Sequence, residues 1–215
     1  MAELTLVRPQ LEGEYYTLEQ IRGMIERIKP EQRKEYKSLP TMSFFHRDSS
    51  RIRAIVGPVG SGKTSAAVMD IEMIAMDLRR DFGIKETRWV CIRNTYLELM
   101  DTCFQTVVYW MQGGRWYDKR KAYRWEDKIN DKTTELLFRS CDRPGDVSKF
   151  KSMEITGYWM DESIELTTEL KLMIRNRIGR YPAREHVRQV VLGGLPAETE
   201  KGFKHEGIKT VEEKV

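Results

Sequence analysis

The octapeptide GPVGSGKT, residues Gly57–Thr64, constrains the fold of this chain more than any other segment. It follows a short β-branched run, Arg51–Val56, and precedes AAVMDIEMIAMDLRR, whose composition favours a helix. A strand, a glycine-rich loop and a helix in this order are typical of a phosphate-binding loop, because glycines let backbone amides converge on an anion at a helix N terminus. The pattern GxxxxGK[ST] is met by Gly57, Gly62, Lys63 and Thr64.

Each position of this loop has an expected role if the ligand is ATP with Mg²⁺. Lys63 reaches the β- and γ-phosphates, and the Thr64 hydroxyl takes one position around the metal ion. The backbone of the remaining loop residues lines the phosphates; these are Pro58, Val59, Gly60 and Ser61. The alternative is a glycine turn before an ordinary helix.

A second acidic motif, Tyr158–Glu162, follows about 100 residues later and reads YWMDE. An apolar strand that ends in two carboxylates suggests two tasks. Asp161 serves the Mg²⁺ ion, while Glu162 orients and deprotonates an attacking water. The alternative is that both residues only cap the helix that follows.

The rest of the chain predicts an α/β fold. Strand-like runs at 89–93, 155–160 and 187–192 alternate with helical patterns at about 97–111 and 167–179. A βαβα succession implies a parallel sheet. We expect an N-terminal helical segment and linker over 1–50, with a short helix in 15–30, a core over 51–198, and a polar tail over 199–215.

Residues 113–140 break this rhythm with alternating aromatic and charged residues, and they predict an inserted β-hairpin or an edge meander. Residues 115–151 contain eleven Lys or Arg against seven Asp or Glu. Such a hairpin could follow a nucleic-acid backbone or face a neighbouring subunit. A solvated hairpin with its own small apolar face explains the pattern equally well.

Composition excludes several classes of protein. The chain is 33% charged and has no apolar run of membrane-spanning length, so we expect no membrane partner. Its first residues, MAELTLVRPQ, lack the apolar core of a secretory signal, which suggests a cytoplasmic protein. Three cysteines without CxxC spacing predict neither disulfides nor zinc, and the net charge of +4 permits a polyanionic partner without requiring one.

The sequence resembles the large terminase subunits of tailed bacteriophages, the ATPases that drive DNA into a procapsid. The resemblance covers about 52–196 and rests on four segments: GPVGSGKT, VCIRNTYLELMDT (90–102), KFKSMEITGYWMDESIEL (149–166) and RIGRYP (177–182). It implies a P-loop NTPase with a RecA/ASCE-like parallel sheet flanked by helices. It also identifies Gly57–Thr64 as Walker A, Asp161 as the Walker B metal carboxylate and Glu162 as the catalytic carboxylate.

The resemblance raises the question of which cation neutralises charge in the transition state, because the loop itself contains no arginine. Lys151 lies about ten residues before Asp161, where some relatives place an arginine that acts on the neighbouring subunit. Arg93 is a second candidate and is expected at the nucleotide. Other arginines compete with them: Arg139, Arg143, Arg177 and Arg180.

Two further site predictions follow from the family pattern. Gly193, Gly194 and Leu195 fall where the family has a coupling motif, but they lack its usual hydroxyl or amide group. Phe44, Phe45 and His46 precede the first strand, where related ATPases hold adenine; ordinary packing is the alternative.

The implied partners are double-stranded DNA, a portal protein and a small terminase subunit, in the host cytoplasm. We expect a homo-oligomeric ring, a pentamer, when assembled and a monomer in isolation. The residues after Leu195 are too few and too polar for the family's nuclease domain, so we expect that activity elsewhere in a longer protein or on a separate chain.

Two other functions remain open. One is another P-loop DNA translocase or helicase, although a helicase usually needs a second motor domain. The other is an assembly factor that uses the nucleotide as a switch with little turnover. Glu162 argues against the switch, since a switch does not need a base beside the metal carboxylate.

Overall fold

A computed structural model describes residues 16–26 and 35–182 of the chain. The helices are α1 (Leu18–Glu26), α2 (Pro40–Arg47), α3 (Lys63–Phe82), α4 (Tyr96–Glu98), α5 (Gln105–Trp110) and α6 (Thr168–Arg175). The strands are β1 (Glu86–Arg93), β2 (Arg115–Tyr117), β3 (Ala122–Asp127), β4 (Lys132–Ser140) and β5 (Gly157–Met160). A π-helical turn, Leu99–Phe104, joins α4 to α5, and 3₁₀ turns cover Asp118–Arg120, Pro144–Phe150 and Ser163–Glu165.

The protein has an α/β fold with a mixed five-stranded sheet in the order β2-β3-β4-β1-β5. Strands β4, β1 and β5 are parallel. The alternation of strands and helices predicts this for β1 and β5, but not for β4, which lies within 113–140. Strands β2 and β3 lie in the segment predicted as an inserted hairpin or edge meander, and they pair in antiparallel fashion, as do β3 and β4. A short turn joins β3 to β4, and a connection of that length allows only an antiparallel pair.

Strand β1 is buried on both faces, which explains why its sequence reads as a continuous apolar run. Trp89 and Cys91 point into one core, while Val90 and Ile92 point into the other. The first core is covered by α1, α3 and α5. The second lies under α6 and the 3₁₀ turn 144–150. The sheet therefore forms the middle of three layers.

Helix α1 begins with the capping box that its sequence predicts. The Thr17 amide donates to Gln20 Oε1 at 2.7 Å, and the Gln20 amide donates to Thr17 Oγ1 at 3.2 Å. Ile21 is fully buried in the first core. Within 1–50, the range predicted as a helical segment and linker, Pro40–Arg47 form a second helix, α2.

The segment 113–140 forms the predicted edge meander, but it is not an insertion that projects from the fold. Strand β4 pairs with β1 from Glu86↔Thr133 to Arg93↔Ser140, so it belongs to the middle of the sheet. Tyr123 and Trp125 lie in the first core because alternate residues of β3 face the helices. These two side chains therefore belong to the main core of the protein, and not to a small apolar face of a separate hairpin.

The strand expected at Arg51–Val56 is not formed: residues 53–58 have neither helix nor strand structure, and Val56 is 93% exposed. A β-branched run becomes a strand only beside a partner, and none of the described strands pairs with it. The strand expected at 187–192, the motif at Gly193–Leu195 and the tail at 199–215 lie outside the described residues.

Helix α3 is long, but polar residues interrupt it. No helix in the described ranges has both the length and the apolar character needed to cross a membrane.

Candidate functional site

The glycine loop and the acidic motif lie at the same edge of the sheet. Helix α3 leads into β1 through only 83–85, so the two elements run in opposite directions. Helix α3 has 20 residues and β1 has 8, which correspond to lengths of about 30 Å and about 26 Å. The N terminus of α3 therefore lies near the carboxyl end of β1, the edge where open parallel sheets bind ligands.

The Lys63 side chain folds into the glycine loop. Its Nζ donates to the carbonyl oxygen of Gly57 at 2.7 Å and to that of Pro58 at 2.8 Å. Ser61 Oγ also donates to the Pro58 carbonyl, at 2.8 Å. Gly60 and Gly62 have φ angles of 78° and 81°, which glycine adopts without the steric cost that other residues incur. The loop thus depends on its glycines and surrounds an ammonium group.

The first turn of α3 adds a positive electrostatic potential to the loop. The Ala66 amide is the first to find an acceptor within this turn, donating to the Gly62 carbonyl at 2.9 Å. The amides that precede it have no intrahelical acceptor, as at every helix N terminus, and the first turn contains no acidic residue. Half-buried Thr64 and Ser65 lie in the same turn. The arrangement suits an anion.

Asp161 follows β5 directly, and its amide extends the ladder by donating to the Ile92 carbonyl at 2.9 Å. Its side chain is 14% exposed. Oδ2 accepts a hydrogen bond from Arg93 Nη1 at 2.6 Å and lies 3.4 Å from Cys103 Sγ. The structure therefore pairs the expected metal carboxylate with an arginine, a contact that sequence analysis did not identify.

Arg93 ends β1 and reaches across to the π-helical turn. Its Nη1 also donates to Thr102 Oγ1 at 2.9 Å, and its Nε lies 3.4 Å from Glu98 Oε2. π-Helical turns inside α-helices are rare and are frequent at functional sites. The parallel register aligns the ends of β1 and β5, which explains why Arg93 and Asp161 meet.

Glu162 has a left-handed backbone conformation, with φ 46° and ψ 52°. A non-glycine residue in this region is strained, and such residues cluster at functional sites. Its exposed carboxylate makes no hydrogen bond or ion pair with the described residues, and it caps nothing. Helix α6 is capped instead by Thr167, whose side chain accepts from the Leu170 amide. The capping alternative for the acidic pair is therefore not observed.

Lys151 is exposed and follows the 3₁₀ turn 144–150. Its ammonium group forms no ion pair within the described ranges, and the contacts of two competing arginines are structural. Arg139 Nη1 donates to backbone carbonyls, including that of Phe138 at 2.7 Å. Arg143 precedes the 144–150 turn, where its backbone amide donates to Asp146 Oδ2 at 3.3 Å. Arg177 approaches Met173 Sδ at 3.8 Å, so it too is engaged in packing.

A buried polar cluster links the segment before the glycine loop to helix α3, and the sequence did not predict it. Asp70 on α3 accepts from His46 Nδ1 at 3.0 Å and from both terminal nitrogens of Arg53. Tyr36 Oη lies 2.9 Å from His46 Nε2, and the Phe45 ring lies 4.9 Å from the Arg53 guanidinium carbon. Of the residues expected near adenine, Phe45 and His46 contribute to this packing and Phe44 is 72% exposed.

A cavity of about 560 Å³ separates α3 from the π-helical turn. Ser65 lines one side of it, and Asp101, Thr102 and Trp110 line the other. Asp101 also accepts a hydrogen bond from Tyr16 Oη. Thr102, which lines the cavity, also accepts the hydrogen bond from Arg93, so the cavity lies between the first turn of α3 and a residue that fixes Arg93.

The oxygen donors expected to hold Mg²⁺ are few. Thr64 and Asp161 supply a hydroxyl and a carboxylate, which are hard ligands that suit this ion. The described residues contain no group of three or more His, Cys, Asp or Glu side chains placed to hold a metal. One or two protein ligands together with substrate phosphates are the usual arrangement for Mg²⁺ at nucleotide sites, so the donor set fits.

The chain was compared with protein-family models, with curated proteins and with solved structures, and no match was found. Any assignment of function must therefore come from the residues and geometry above.

Proposed function

We propose that this chain is a Mg²⁺-dependent ATPase with a RecA/ASCE-like P-loop core, and that it serves as the motor domain of a phage terminase large subunit. One observation carries the proposal. Lys63 lies inside a glycine loop at the N terminus of α3, and the Asp161–Glu162 pair ends a strand at the same sheet edge. A cationic loop beside two carboxylates is what hydrolysis of a nucleoside triphosphate requires.

The loop binds the triphosphate. Backbone amides of Gly60–Thr64 and the α3 N terminus donate to phosphate oxygens, and Lys63 exchanges its contacts with the Gly57 and Pro58 carbonyls for the β- and γ-phosphates. Thr64 and Asp161 hold the Mg²⁺ ion. When bound, this ion offsets the negative charge that develops on the phosphates.

Glu162 acts as the base that orients and deprotonates the attacking water. Its carboxylate is exposed and has no partner in the described part of the chain, so it remains free to accept a proton. Its strained backbone holds it at the end of β5, one residue beyond Asp161. The presence of such a base supports an ATP-hydrolysing enzyme and argues against a nucleotide switch with little turnover.

Assembly supplies the remaining positive charge. Lys151 is exposed and uncommitted, and we assign it to the nucleotide of the adjacent subunit in a homo-oligomeric ring. The isolated chain then hydrolyses ATP slowly. In this proposal the ring, a pentamer, moves double-stranded DNA through a portal protein with the help of a small terminase subunit.

The test measures phosphate release with and without Mg²⁺, together with binding of a fluorescent ATP analogue. Lys63→Ala should lose nucleotide binding. Glu162→Gln should bind the analogue and lose about 10²–10⁴-fold in turnover, the usual value of a positioned base. Glu165→Gln is the matched control, because Glu165 is an exposed carboxylate in the adjacent 3₁₀ turn.

Three results would count against the proposal. If Glu162→Gln hydrolyses ATP at the parental rate, Glu162 is not the base. If the parental chain binds the nucleotide without hydrolysing it, the nucleotide switch is favoured over the ATPase. If the parental chain binds no nucleotide, the assignment as an ATPase is wrong. Stimulation of turnover by double-stranded DNA, tested in the same assay, separates a DNA motor from an ATPase of another kind.

A further inference from the structure

Arg93 and Asp161 form an ion pair that is largely shielded from solvent. Their side chains are 15% and 14% exposed, and their nearest atoms are 2.6 Å apart. An ionised carboxylate in such a place is costly unless a cation and hydrogen bonds compensate it. The pair is therefore a structural ion pair at the edge of the sheet, unlike the solvent-exposed ion pairs of the surface.

The contacts of the Asp161 carboxylate involve only one of its two oxygens among the described residues. Arg93 Nη1 and Cys103 Sγ both approach Oδ2, while Oδ1 accepts no hydrogen bond from the described residues. One oxygen is therefore fixed towards the first core, and the other is left available at the edge of the sheet. A carboxylate held in this way has a defined orientation.

Arg93 is fixed in turn by the π-helical turn. Its Nη1 donates to Thr102 Oγ1 at 2.9 Å, and that hydroxyl donates to the Glu98 carbonyl at 2.7 Å. Both hydrogens of Nη1 are thereby used, one on Thr102 and one on Asp161. A backbone carbonyl, a threonine, an arginine and the carboxylate form a continuous chain of hydrogen bonds.

We propose that Arg93 is a positioning residue for the metal carboxylate and not a ligand of the nucleotide. It orients Asp161 through Oδ2 so that Oδ1 faces the cation. This inference rests on the proposed function, since it takes the metal role of Asp161 from there. Partners of this kind, which orient a metal ligand without touching the metal, typically contribute 10–100-fold to metal affinity or activity.

The experiment uses the purified full chain and two readouts other than turnover. Electron paramagnetic resonance measures Mn²⁺ affinity in the presence of ADP, and a fluorescent ADP analogue measures nucleotide binding with the metal chelated. Arg93→Gln should weaken Mn²⁺ binding by about 10-fold or more and leave metal-free nucleotide binding unchanged. Arg93→Lys should fall between Arg93→Gln and the parental chain, because it keeps the charge and loses the planar guanidinium that holds both Thr102 and Asp161.

Arg88→Gln provides the matched control. Arg88 lies on the same strand and forms a comparable ion pair, with Glu135 at 2.6 Å, but five residues away from the site. It should leave both affinities at parental values. If Arg93→Gln fails to fold, as judged by circular dichroism, Thr102→Val replaces it. That variant removes the group that fixes Arg93 while keeping all charges, and Mn²⁺ binding should again weaken.

Several outcomes overturn the inference. Parental Mn²⁺ affinity in a folded Arg93→Gln or Thr102→Val variant shows that Arg93 does not position the carboxylate. Loss of metal-free nucleotide binding in Arg93→Gln shows that it contacts the nucleotide directly. A parental chain that binds no Mn²⁺ with ADP overturns this inference together with the proposed function. If Mn²⁺ binding depends on Arg93 but ATP is never hydrolysed, the inference stands and the ATPase fails.

Discussion

Arg53, which precedes the glycine loop, is joined by both of its terminal nitrogens to the Asp70 carboxylate on α3. The segment that enters the loop is thereby tied to the helix that leaves it. The two side chains are only 13% and 10% exposed, and His46 adds a third donor to the same carboxylate. The shape of the loop therefore depends on a buried ion pair outside the loop itself.

Asp70→Asn should be strongly destabilising, because it removes the only charge in this cluster that compensates Arg53. Breaking a buried pair from one side costs about 3–5 kcal/mol in the free energy of unfolding. Urea denaturation at pH 7 measures this change. Asp81→Asn is the control, since the Asp81–Arg80 pair is exposed and its loss should leave the midpoint nearly unchanged. Equal midpoints for the two variants would contradict the prediction.

Gly157→Ala should displace β5. A Cβ atom at Gly157 would lie 2.2 Å from the ring of Trp89, so the ring or the strand must move. Overpacking of this kind costs about 1–3 kcal/mol, and the displaced strand carries Asp161. We expect reduced stability together with weakened Mg²⁺ dependence of turnover.

Two variants separate this clash from a general effect of alanine. Gly145→Ala meets no atom within 4 Å and should leave stability near the parental value. Trp89→Leu combined with Gly157→Ala should recover part of the loss that Gly157→Ala causes, because the smaller side chain makes room. A double variant with no recovery would show that the ring is not the obstacle.

Tyr123 should make the protein sensitive to alkaline pH. Its hydroxyl donates to the Met111 carbonyl at 2.9 Å and accepts from the Gly114 amide, and burial raises its pKa to about 12. The pKa is higher in the folded state than in the unfolded chain, where it is about 10. The neutral phenol therefore stabilises the fold below pH 10, and this contribution is lost as the pH rises from 10 through 12.

Urea midpoints measured from pH 8 to pH 12 test this expectation. The loss attributable to Tyr123 should be about 2–3 kcal/mol across that window. Tyr123→Phe should be less stable at pH 8 by about 1–3 kcal/mol, because two buried backbone groups lose their partner, yet it should show a shallower alkaline slope. Some slope should remain, since burial also raises the pKa of Tyr158. An unchanged slope would contradict the assignment.

Lys151→Ala should matter only after assembly. Because Lys151 is exposed and unpaired within the described residues, its removal should barely change stability or the slow turnover of monomers. Turnover in the assembled ring should fall, because the cation that stabilises transition-state charge is missing. Lys149→Ala is the control, since Lys149 lies two residues earlier and already pairs with Asp146.

Mixing inactive variants gives the sharper measurement. A ring that combines Lys151→Ala and Glu162→Gln chains contains some interfaces with both an intact Lys151 and an intact Glu162. Partial activity should return at those interfaces. A lysine that acts within its own subunit cannot produce this recovery, so a mixture without activity would refute the trans role.

Local patterns predict part of this structure well. The runs at 89–93 and 155–160 mark β1 and β5, the capping box at Thr17 marks α1, and the long helix after the loop is α3. The capping box and the helix depend on interactions within a few residues, whereas the two strands are recognised from their apolar runs. The positions of Lys63, Asp161 and Glu162 at one edge also follow from chain order, because parallel strands align their carboxyl ends.

Interactions between distant residues could not be predicted in this way. The sequence of 113–140 shows two-residue alternation, but not that β4 would pair with β1. The run at 51–56 has strand-forming residues, yet its state depends on a neighbour elsewhere in the chain. Likewise, nothing near Arg93 indicates that its partner is Asp161, which lies 68 residues away in the sequence.

The central position of β4 has a consequence for synthesis on the ribosome. Paired residues of β1 and β4 are 47 residues apart, so β1 emerges long before either strand that flanks it. During that interval an apolar strand has both edges open, a state that invites association with other nascent chains. Parallel pairing across such a separation is slow to form, because loop closure precedes any gain from the contacts. We infer that early folding depends on α3 covering one face of β1 until β4 arrives.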